Sequence, residues 1–354
     1  MPHNPLPLGK LPPDLLAALL RRLPPDPRVI VGPRPGEDAA VIDMGDYYLV
    51  AKTDPITFAT DEIGWYAVQV NANDVATTGA TPRFFMMSVL LPGGLADTAM
   101  AERIFTQIVE ACTALEVAVV GGHTEITHSL DRPIVVGCML GEVAKDRLVL
   151  TGGARPGDVV LLSKGVPVEA TAIIAREKAG ALAGAIPPDI IARCAEFLHA
   201  PGISVVEDAR LATDAAGFGG VTGMHDPTEG GLATALWEVA EAAGVGIALS
   251  GAPPILPEGQ RLCAALGLDP MGAIASGALL VTARPDAAPA VIRAWEQAGI
   301  AAYELGRVVA GRPRVVQADG ATLPAPRATR SPGCLIHEHS VEWKVSARTL
   351  QNVT

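Results

Sequence analysis

Four short segments in the first half of the chain combine carboxylate side chains with small residues. They are Gly36-Glu37-Asp38-Ala39-Ala40, Thr53-Asp54, Asn71-Ala72-Asn73-Asp74 and Gly121-Gly122-His123-Thr124-Glu125. Each carboxylate stands at the edge of an apolar run, where its side chain can face a cleft instead of being buried alone at high cost. Carboxylate oxygens are hard ligands that suit Mg2+, which completes its shell with water and substrate phosphates. The segments predict one divided site for a metal-bound polyphosphate.

Two of these carboxylates have a predicted structural setting. Asn71, Asp74 and Thr78 lie three and four residues apart in a pattern that predicts a helix over 64–78, so they share one helix face. Asn and Asp have poor helix propensity, which indicates either a site or a buried hydrogen-bond network. Asp54 precedes a proline, which disfavours the helical region and predicts the end of a strand there.

The two histidine-containing motifs are more ambiguous. Gly121 and Gly122 follow a predicted strand, and such glycines let backbone N–H groups approach phosphate oxygens. His123 is a candidate phosphate contact and a candidate proton-transfer group, with a polar crevice as the structural alternative. His225 stands beside Asp226, just before a predicted helix over 229–243, and we interpret it as a structural histidine.

Strand and helix patterns alternate along the chain and predict a mixed α/β fold, that is, α+β with mixed sheets. The turn-rich stretch 151–158 precedes an apolar strand and marks a domain boundary. The predicted division is an N-terminal arm at 1–28, an ATP- and Mg-binding domain at 29–152, a second domain at 153–324 and a polar tail at 325–354. We expect partial disorder in the tail.

Composition excludes several classes of function. The net charge is -11, with 27 Lys and Arg against 38 Asp and Glu, so nucleic acid is not an expected partner. A free nucleotide would be repelled unless a divalent metal neutralised its phosphates. There is neither a membrane-spanning apolar stretch nor a secretory signal at the start. The five cysteines are widely spaced without a Cys-x-x-Cys pair, which predicts reduced thiols in a cytoplasmic protein.

The motifs, taken in this order, resemble those of a known protein superfamily. Together with Asp226-Pro227-Thr228-Glu229-Gly230-Gly231-Leu232 and Gly267-Leu268-Asp269-Pro270, they resemble the aminoimidazole ribonucleotide synthetase (PurM-like) superfamily over roughly residues 8 to 310. That superfamily includes the purine enzyme, selenophosphate synthetase, thiamine monophosphate kinase and the hydrogenase maturation protein HypE. The last two motifs point to a HypE-like, synthetase-related branch.

The resemblance implies a PurM-like two-domain fold in which N-terminal sheets pair into a barrel across a homodimer. It also implies that ATP and Mg2+ occupy a cleft lined by the motifs. Carried over by motif position, the implied metal ligands are Asp38, Asp54, Asp74 and Asp226. The implied nucleotide or phosphate contacts are Asn71, Gly121, Gly122, His123 and Thr124, and the candidate catalytic groups are Asp226 and His123.

The expected activity is ATP- and Mg-dependent phosphorylation of an oxygen on a small-molecule or peptide acceptor. One alternative is a HypE-type maturation enzyme that dehydrates a carbamoyl group carried by a cysteine and works with a maturation partner. HypE proteins carry that group on a terminal cysteine, whereas Cys334 lies twenty residues before Thr354. A third alternative is a nucleotide-binding scaffold without catalysis, which His123 and Glu229 leave open because they replace the Asp and Arg of HypE.

Overall fold

The structure is a computed structural model that describes residue 6 and residues 11–33, 37–57 and 61–325. The tail beyond residue 325, including the expected disorder and Cys334, lies outside the described residues, as does Gly36. In the first part of the chain the helices are α1 (Pro13–Leu20), α2 (Ile63–Ala76) and α3 (Thr98–Ala114). The strands are β1 (Val29–Val31), β2 (Ala40–Asp43), β3 (Tyr47–Ile56), β4 (Thr81–Pro92), β5 (Ala118–Thr127) and β6 (Ile134–Ala144).

These six strands form one sheet in the order β1-β2-β3-β6-β4-β5, antiparallel except for the β4–β5 pair. Helix α2 packs on β3, β4 and β6, and α3 packs beside α2. The opposite face of the sheet leaves large apolar side chains exposed, among them Phe84 and Met86. Among the described strands, β5 pairs only with β4, and it is exposed along nearly its whole length.

The second part contains another six-stranded sheet, ordered β12-β9-β11-β7-β10-β8. Its strands are β7 (Val159–Ser163), β8 (Val221–His225), β9 (Gly246–Leu249), β10 (Leu280–Ala283), β11 (Ala302–Val309) and β12 (Arg314–Val316). Its helices are α4 (Val168–Glu177), α5 (Ala179–Leu182), α6 (Pro188–Ala195), α7 (Val206–Ala216), α8 (Gly231–Ala243), α9 (Pro257–Ala265) and α10 (Ala288–Gln297). No helix in the described part of the chain is both long and apolar enough to cross a membrane.

The two parts share a hydrophobic core. Ile63 and Tyr66 of α2 belong to the same buried cluster as Val168, Ala172 and Ile173 of α4. Asn73 adds polar contacts, because its side chain donates to Ile203 O (2.7 Å) and accepts from Val205 N (2.8 Å). Helix α2 is therefore fixed to both parts of the chain, and residues along it can contribute to a site at the boundary.

Three predicted element boundaries were wrong. Strand β3 does not end at Asp54 but continues through Pro55 to Ile56, paired with β6. Helix α8 begins at Gly231 and not at residue 229, because Gly230 and Gly231 both adopt left-handed backbone conformations (φ 82° and 61°). Helix α2 ends at Ala76 and not at residue 78, so Thr78 lies beyond the helix.

Candidate functional site

A lysine joins two of the predicted metal ligands. Alternation along β3 places Lys52 and Asp54 on the same face of the sheet, beneath α2. Asp74, on α2, is only 4% exposed. The Lys52 ammonium lies 2.8 Å from Asp74 Oδ2 and 3.2 Å from Asp54 Oδ2. The structure thus brings Asp54 and Asp74 together around one half-buried cation, as the divided-site hypothesis requires.

Asn71 holds the backbone of Asp54. Strand β2 pairs with β3 only as far as Ala51, so the residues of β3 after Ala51 are not paired with β2. The Asn71 carboxamide replaces it, accepting from Asp54 N (2.8 Å) and donating to Asp54 O (3.3 Å) and Ala67 O (2.8 Å). Asn71 is fully buried, so it positions a site residue; the nucleotide contact expected of it stays a prediction.

Asp38 reaches the same region from the segment before β2. The antiparallel register pairs Ala40 with Ala51, which places residue 38 beside the end of β3. Asp38 Oδ2 lies 2.8 Å from His225 Nδ1, while His225 Nε2 lies 2.8 Å from Glu238 Oε2 on α8. Burial alone would lower the pKa of His225, but the two carboxylates outweigh burial and raise it well above its usual range. A cationic His225 therefore orients Asp38.

Asp226 directly follows His225 and is 1% exposed. Neither of its carboxylate oxygens has a hydrogen-bond partner among the described residues. Burial, followed by the charge of Asp38, raises the pKa of Asp226 to about 6. A buried carboxylate without partners is unfavourable unless it is protonated or binds a cation.

The four predicted carboxylates converge at the boundary between the two parts. Burial and the charges of Asp226, Asp38 and Asp54 favour the protonated form of Asp74 and raise its pKa, while the Lys52 ammonium opposes them and favours the ionised form. Ligand atoms of Asp38, His225 and Asp226 lie within 4.8 Å of one another. The two Asp226 oxygens, which are buried and have no hydrogen-bond partner among the described residues, fit Mg2+, whereas both nitrogens of His225 already face carboxylates. Their role as metal ligands stays a prediction.

The Gly121–Thr124 motif does not join this cluster within the chain. The motif lies inside β5, so the prediction that it forms a loop after a strand was wrong. Gly122 stands in one row across the sheet with Met87, Gly137 and Asp54, three strand spacings or about 14 Å from β3. A Cβ at Gly122 would lie 2.2 Å from Met87 O, so strand packing alone requires this glycine.

His123 is exposed on the same strand and lies 3.3 Å from Glu125. The nucleotide and catalytic roles expected of Gly121 to Thr124 therefore depend on contacts that a single chain does not make. Those roles stay predictions.

Sequence reasoning missed four residues of the site region. Lys52 could have been found, because it stands two residues before Asp54 in a strand and must share its face. His225 was interpreted as structural, although it lies within the carboxylate cluster. Glu238 and Glu169 are brought to the region only by the packing of α8 and α4, for which the local sequence carries no signal.

Comparisons with known proteins agree with this geometry. The family of the AIR synthase related protein matches through its N-terminal domain over residues 36–143 and its C-terminal domain over residues 155–319. The chain is 32% identical to the carbamoyl dehydratase HypE of Rhodobacter capsulatus, over 75% of this chain and 74% of the relative. It is 31% identical to the same enzyme of Cupriavidus necator, over 78% of each chain.

A solved structure has the same fold. The hydrogenase maturation protein HypE in complex with ATP aligns with a TM-score of 0.68 and 25% identity, covering 84% of this chain and 90% of that one. The two mixed sheets are thus a PurM-like arrangement.

Proposed function

Because the chain belongs to the AIR synthase-related family, we propose that it is a HypE-type enzyme that uses ATP and Mg2+ to dehydrate a carbamoyl group. The observation that carries the proposal is the buried pair of unpartnered oxygens on Asp226, which face Asp38 at the boundary of the two sheets. A relative named carbamoyl dehydratase and a HypE structure with ATP support the substrate and the nucleotide.

The proposed dehydration takes two steps, in which every atom is accounted for. The carbamoyl oxygen attacks the γ-phosphorus of ATP and releases ADP. The phosphorylated oxygen then leaves as phosphate while the nitrogen loses its protons, which converts the carbonyl carbon into a nitrile. Mg2+, when held by the four aspartates, would neutralise phosphate charge during the transfer. The first step is the phosphorylation of an oxygen, which the sequence motifs predict. The dehydration therefore includes the more general phosphoryl-transfer activity as its first half.

The proposal includes a homodimer. Strand β5 presents a long, exposed edge, and the open face of its sheet carries Phe84 and Met86. Exposed edges and apolar faces of this kind are usually covered in a functional protein. Pairing of two such sheets into the expected barrel would cover both features and bring Gly121 to Thr124 to another chain.

We expect Asp74→Asn to abolish the rise in melting temperature that ATP with Mg2+ gives to the native chain. Bound ligand stabilises the folded state by mass action, by about 2.7 kcal/mol at a hundred times Kd. The variant removes a buried carboxylate from the cluster and weakens metal binding, so thermal unfolding with and without nucleotide checks it. The same variant should lose the ATP-dependent conversion of S-methyl thiocarbamate to methyl thiocyanate, measured by chromatography.

Asp97→Asn is the matched control for this prediction. Asp97 caps α3 by accepting from Met100 N, and asparagine caps helices equally well. The control should keep both the thermal shift and the turnover. An unchanged thermal shift in Asp74→Asn would remove Asp74 from the metal site, and nucleotide binding without turnover in the native chain would favour the scaffold.

A second prediction concerns the thiol that carries the carbamoyl group. If Cys334 is the carrier, Cys334→Ala should not accept a carbamoyl group from a carbamoyl-transferring maturation partner, because no thiolate remains to form the bond. Intact-mass spectrometry after incubation with that partner checks this. Cys138→Ala, which removes a half-buried thiol of β6, is the control and should accept the group. Carbamoylation of Cys334→Ala at the native level would exclude Cys334 as the carrier.

A further inference from the structure

Side-chain atoms of four buried or partly buried residues on α2 have no hydrogen-bond partner among the described residues: Trp65 Nε1, Tyr66 Oη, Gln69 Oε1 and Asp74 Oδ2, the last of which faces the Lys52 ammonium. Tyr66 and Gln69 are each 2% exposed. The residues are three apart and therefore share one helix face. Unpaired buried polar atoms are rare, and two on one turn indicate that a group outside the described residues satisfies them.

This face of α2 points toward α4. Tyr66 belongs to the same core cluster as Val168, Ala172 and Ile173, and Glu169 lies next to these residues in the first turn of α4. We call the region between Tyr66, Gln69 and Glu169 the α2–α4 seam. Asn73, one turn further along α2, fixes its geometry by bonding to Ile203 O.

Glu169 supplies a buried acceptor on the other side of the seam. It is 1% exposed, and its Oε2 accepts a long hydrogen bond of 3.3 Å from Ser276 N. Burial raises the pKa of Glu169 to about 7, and the nearby charge of Asp226 adds to the shift. After burial, Glu169 is the group that most strongly raises the pKa of Tyr66. The seam therefore adjoins the carboxylate cluster through Asp226.

We propose that the α2–α4 seam binds the NH2 group of the acceptor and so selects carbamoyl-type substrates; this rests on the proposed function. Gln69 Oε1 and the Glu169 carboxylate are acceptors that require donors, and a primary carboxamide nitrogen offers two N–H donors. The Tyr66 hydroxyl can donate or accept beside them. An anionic acceptor group is disfavoured, because it would meet acceptor atoms and a carboxylate in a buried space.

A matched pair of probes tests the requirement for N–H donors. S-Methyl thiocarbamate carries an NH2 group, and its N,N-dimethyl analogue has the same thioester-like skeleton without N–H. Binding of each probe to the full chain is measured by saturation-transfer NMR on the S-methyl protons, with Mg2+ and a non-hydrolysable ATP analogue present. We expect binding of the NH2 probe and at least roughly tenfold weaker binding of the dimethyl probe.

Two substitutions test whether the NH2 probe binds at the α2–α4 seam. Glu169→Gln and Tyr66→Phe keep side-chain size, and each should weaken binding of the NH2 probe, by roughly tenfold for Glu169→Gln and fivefold for Tyr66→Phe. Glu177→Gln at the end of α4 and Tyr303→Phe on the surface are the controls and should bind as the native chain does. The melting temperature of Tyr66→Phe should not fall, because the Tyr66 hydroxyl has no partner among the described residues. That of Glu169→Gln should not fall either, because glutamine keeps an oxygen that can accept from Ser276 N without a buried charge.

The outcomes separate the two proposals. Equal binding of the NH2 probe by the native chain and both seam variants overturns the seam, and so does absence of binding to the native chain. Loss of stability in both variants without a change in binding also overturns it and leaves a structural water network. Binding that depends on the seam without formation of methyl thiocyanate would keep the seam and refute the dehydration.

Discussion

Asp226→Asn is expected to raise the melting temperature of the nucleotide-free protein and to remove the further rise caused by ATP with Mg2+. The carboxylate of Asp226 is buried without a partner, and its pKa is about 6 in the folded chain. Because this value lies above 3.8, the usual value for an aspartate, folding favours the protonated form. The stabilisation is complete below the unfolded pKa and is lost as the pH rises through about 6.

Above that range the ionised carboxylate destabilises the folded protein by on the order of 3 kcal/mol, because folding favours the protonated form. Asparagine is neutral at every pH, so the variant should be more stable at pH 7.5 and no more stable at pH 4. Thermal unfolding at both pH values, with and without ATP and Mg2+, checks both parts. A residue that serves to bind a ligand, and not to stabilise the fold, is expected to show this combination: its replacement raises the stability and abolishes the binding.

Asp208→Asn is the matched control, because Asp208 is also a buried aspartate but has a cation beside it. Lys164 Nζ lies 3.1 Å from Asp208 Oδ2, and both side chains are nearly inaccessible. Breaking that pair should lower the melting temperature and leave the nucleotide-dependent shift intact. If Asp226→Asn lowered the melting temperature as Asp208→Asn does, and kept the nucleotide shift, Asp226 would be a structural residue.

Local pattern was sufficient to predict the parts of the site that lie on regular elements. The spacing of Asn71 and Asp74 placed both on α2, and the apolar strand before Asp54 placed that residue at the sheet. The local pattern could not show that β3 extends past its proline. The strand extends because the Asn71 carboxamide takes the place of a neighbouring strand beside Asp54. That contact joins residues 17 apart, and no local propensity encodes it.

The predicted loop at Gly121 and Gly122 was wrong for a different reason. Gly121 and Gly122 were interpreted as a phosphate-binding turn, but Gly122 is required by the close approach of β4, with Met87 O where a Cβ would lie. A glycine needed for packing and a glycine needed for a ligand have the same sequence signal. Glu169 shows the converse, since its position in the first turn of α4 looks like an ordinary helix-start carboxylate until α2 is packed against it.

Lys52→Met is expected to destabilise the protein strongly in metal-free buffer, and Mg2+ alone is expected to restore part of the loss. The ammonium lies within 3.2 Å of carboxylate oxygens on both Asp54 and Asp74. Burial by itself would lower the pKa of Lys52, but Asp74 and then Asp54 outweigh it, so the group stays charged. Removing one partner of a buried ion pair destabilises by about 3 to 5 kcal/mol.

The remaining carboxylates of the variant would repel one another, which is why a divalent cation should stabilise it more than it stabilises the native chain. Denaturant unfolding with EDTA, Mg2+ or added NaCl measures this, and monovalent salt should not replace Mg2+. Lys145→Met is the control, since Lys145 pairs with Asp43 at 2.7 Å on a more exposed surface. Such an exposed pair contributes little to stability, and its loss should not depend on Mg2+.

The double variant Lys52→Met with Asp74→Asn decides whether charge is the cause. If the loss arises from an uncompensated buried carboxylate, removing that carboxylate should recover most of the stability and also abolish the rescue by Mg2+. If the double variant is as unstable as Lys52→Met alone, the lysine acts through packing of its aliphatic stem. In that case the Lys52 ammonium would not be needed to offset repulsion between the carboxylates. The inference that a metal ion can take over the role of this ammonium would then also be wrong.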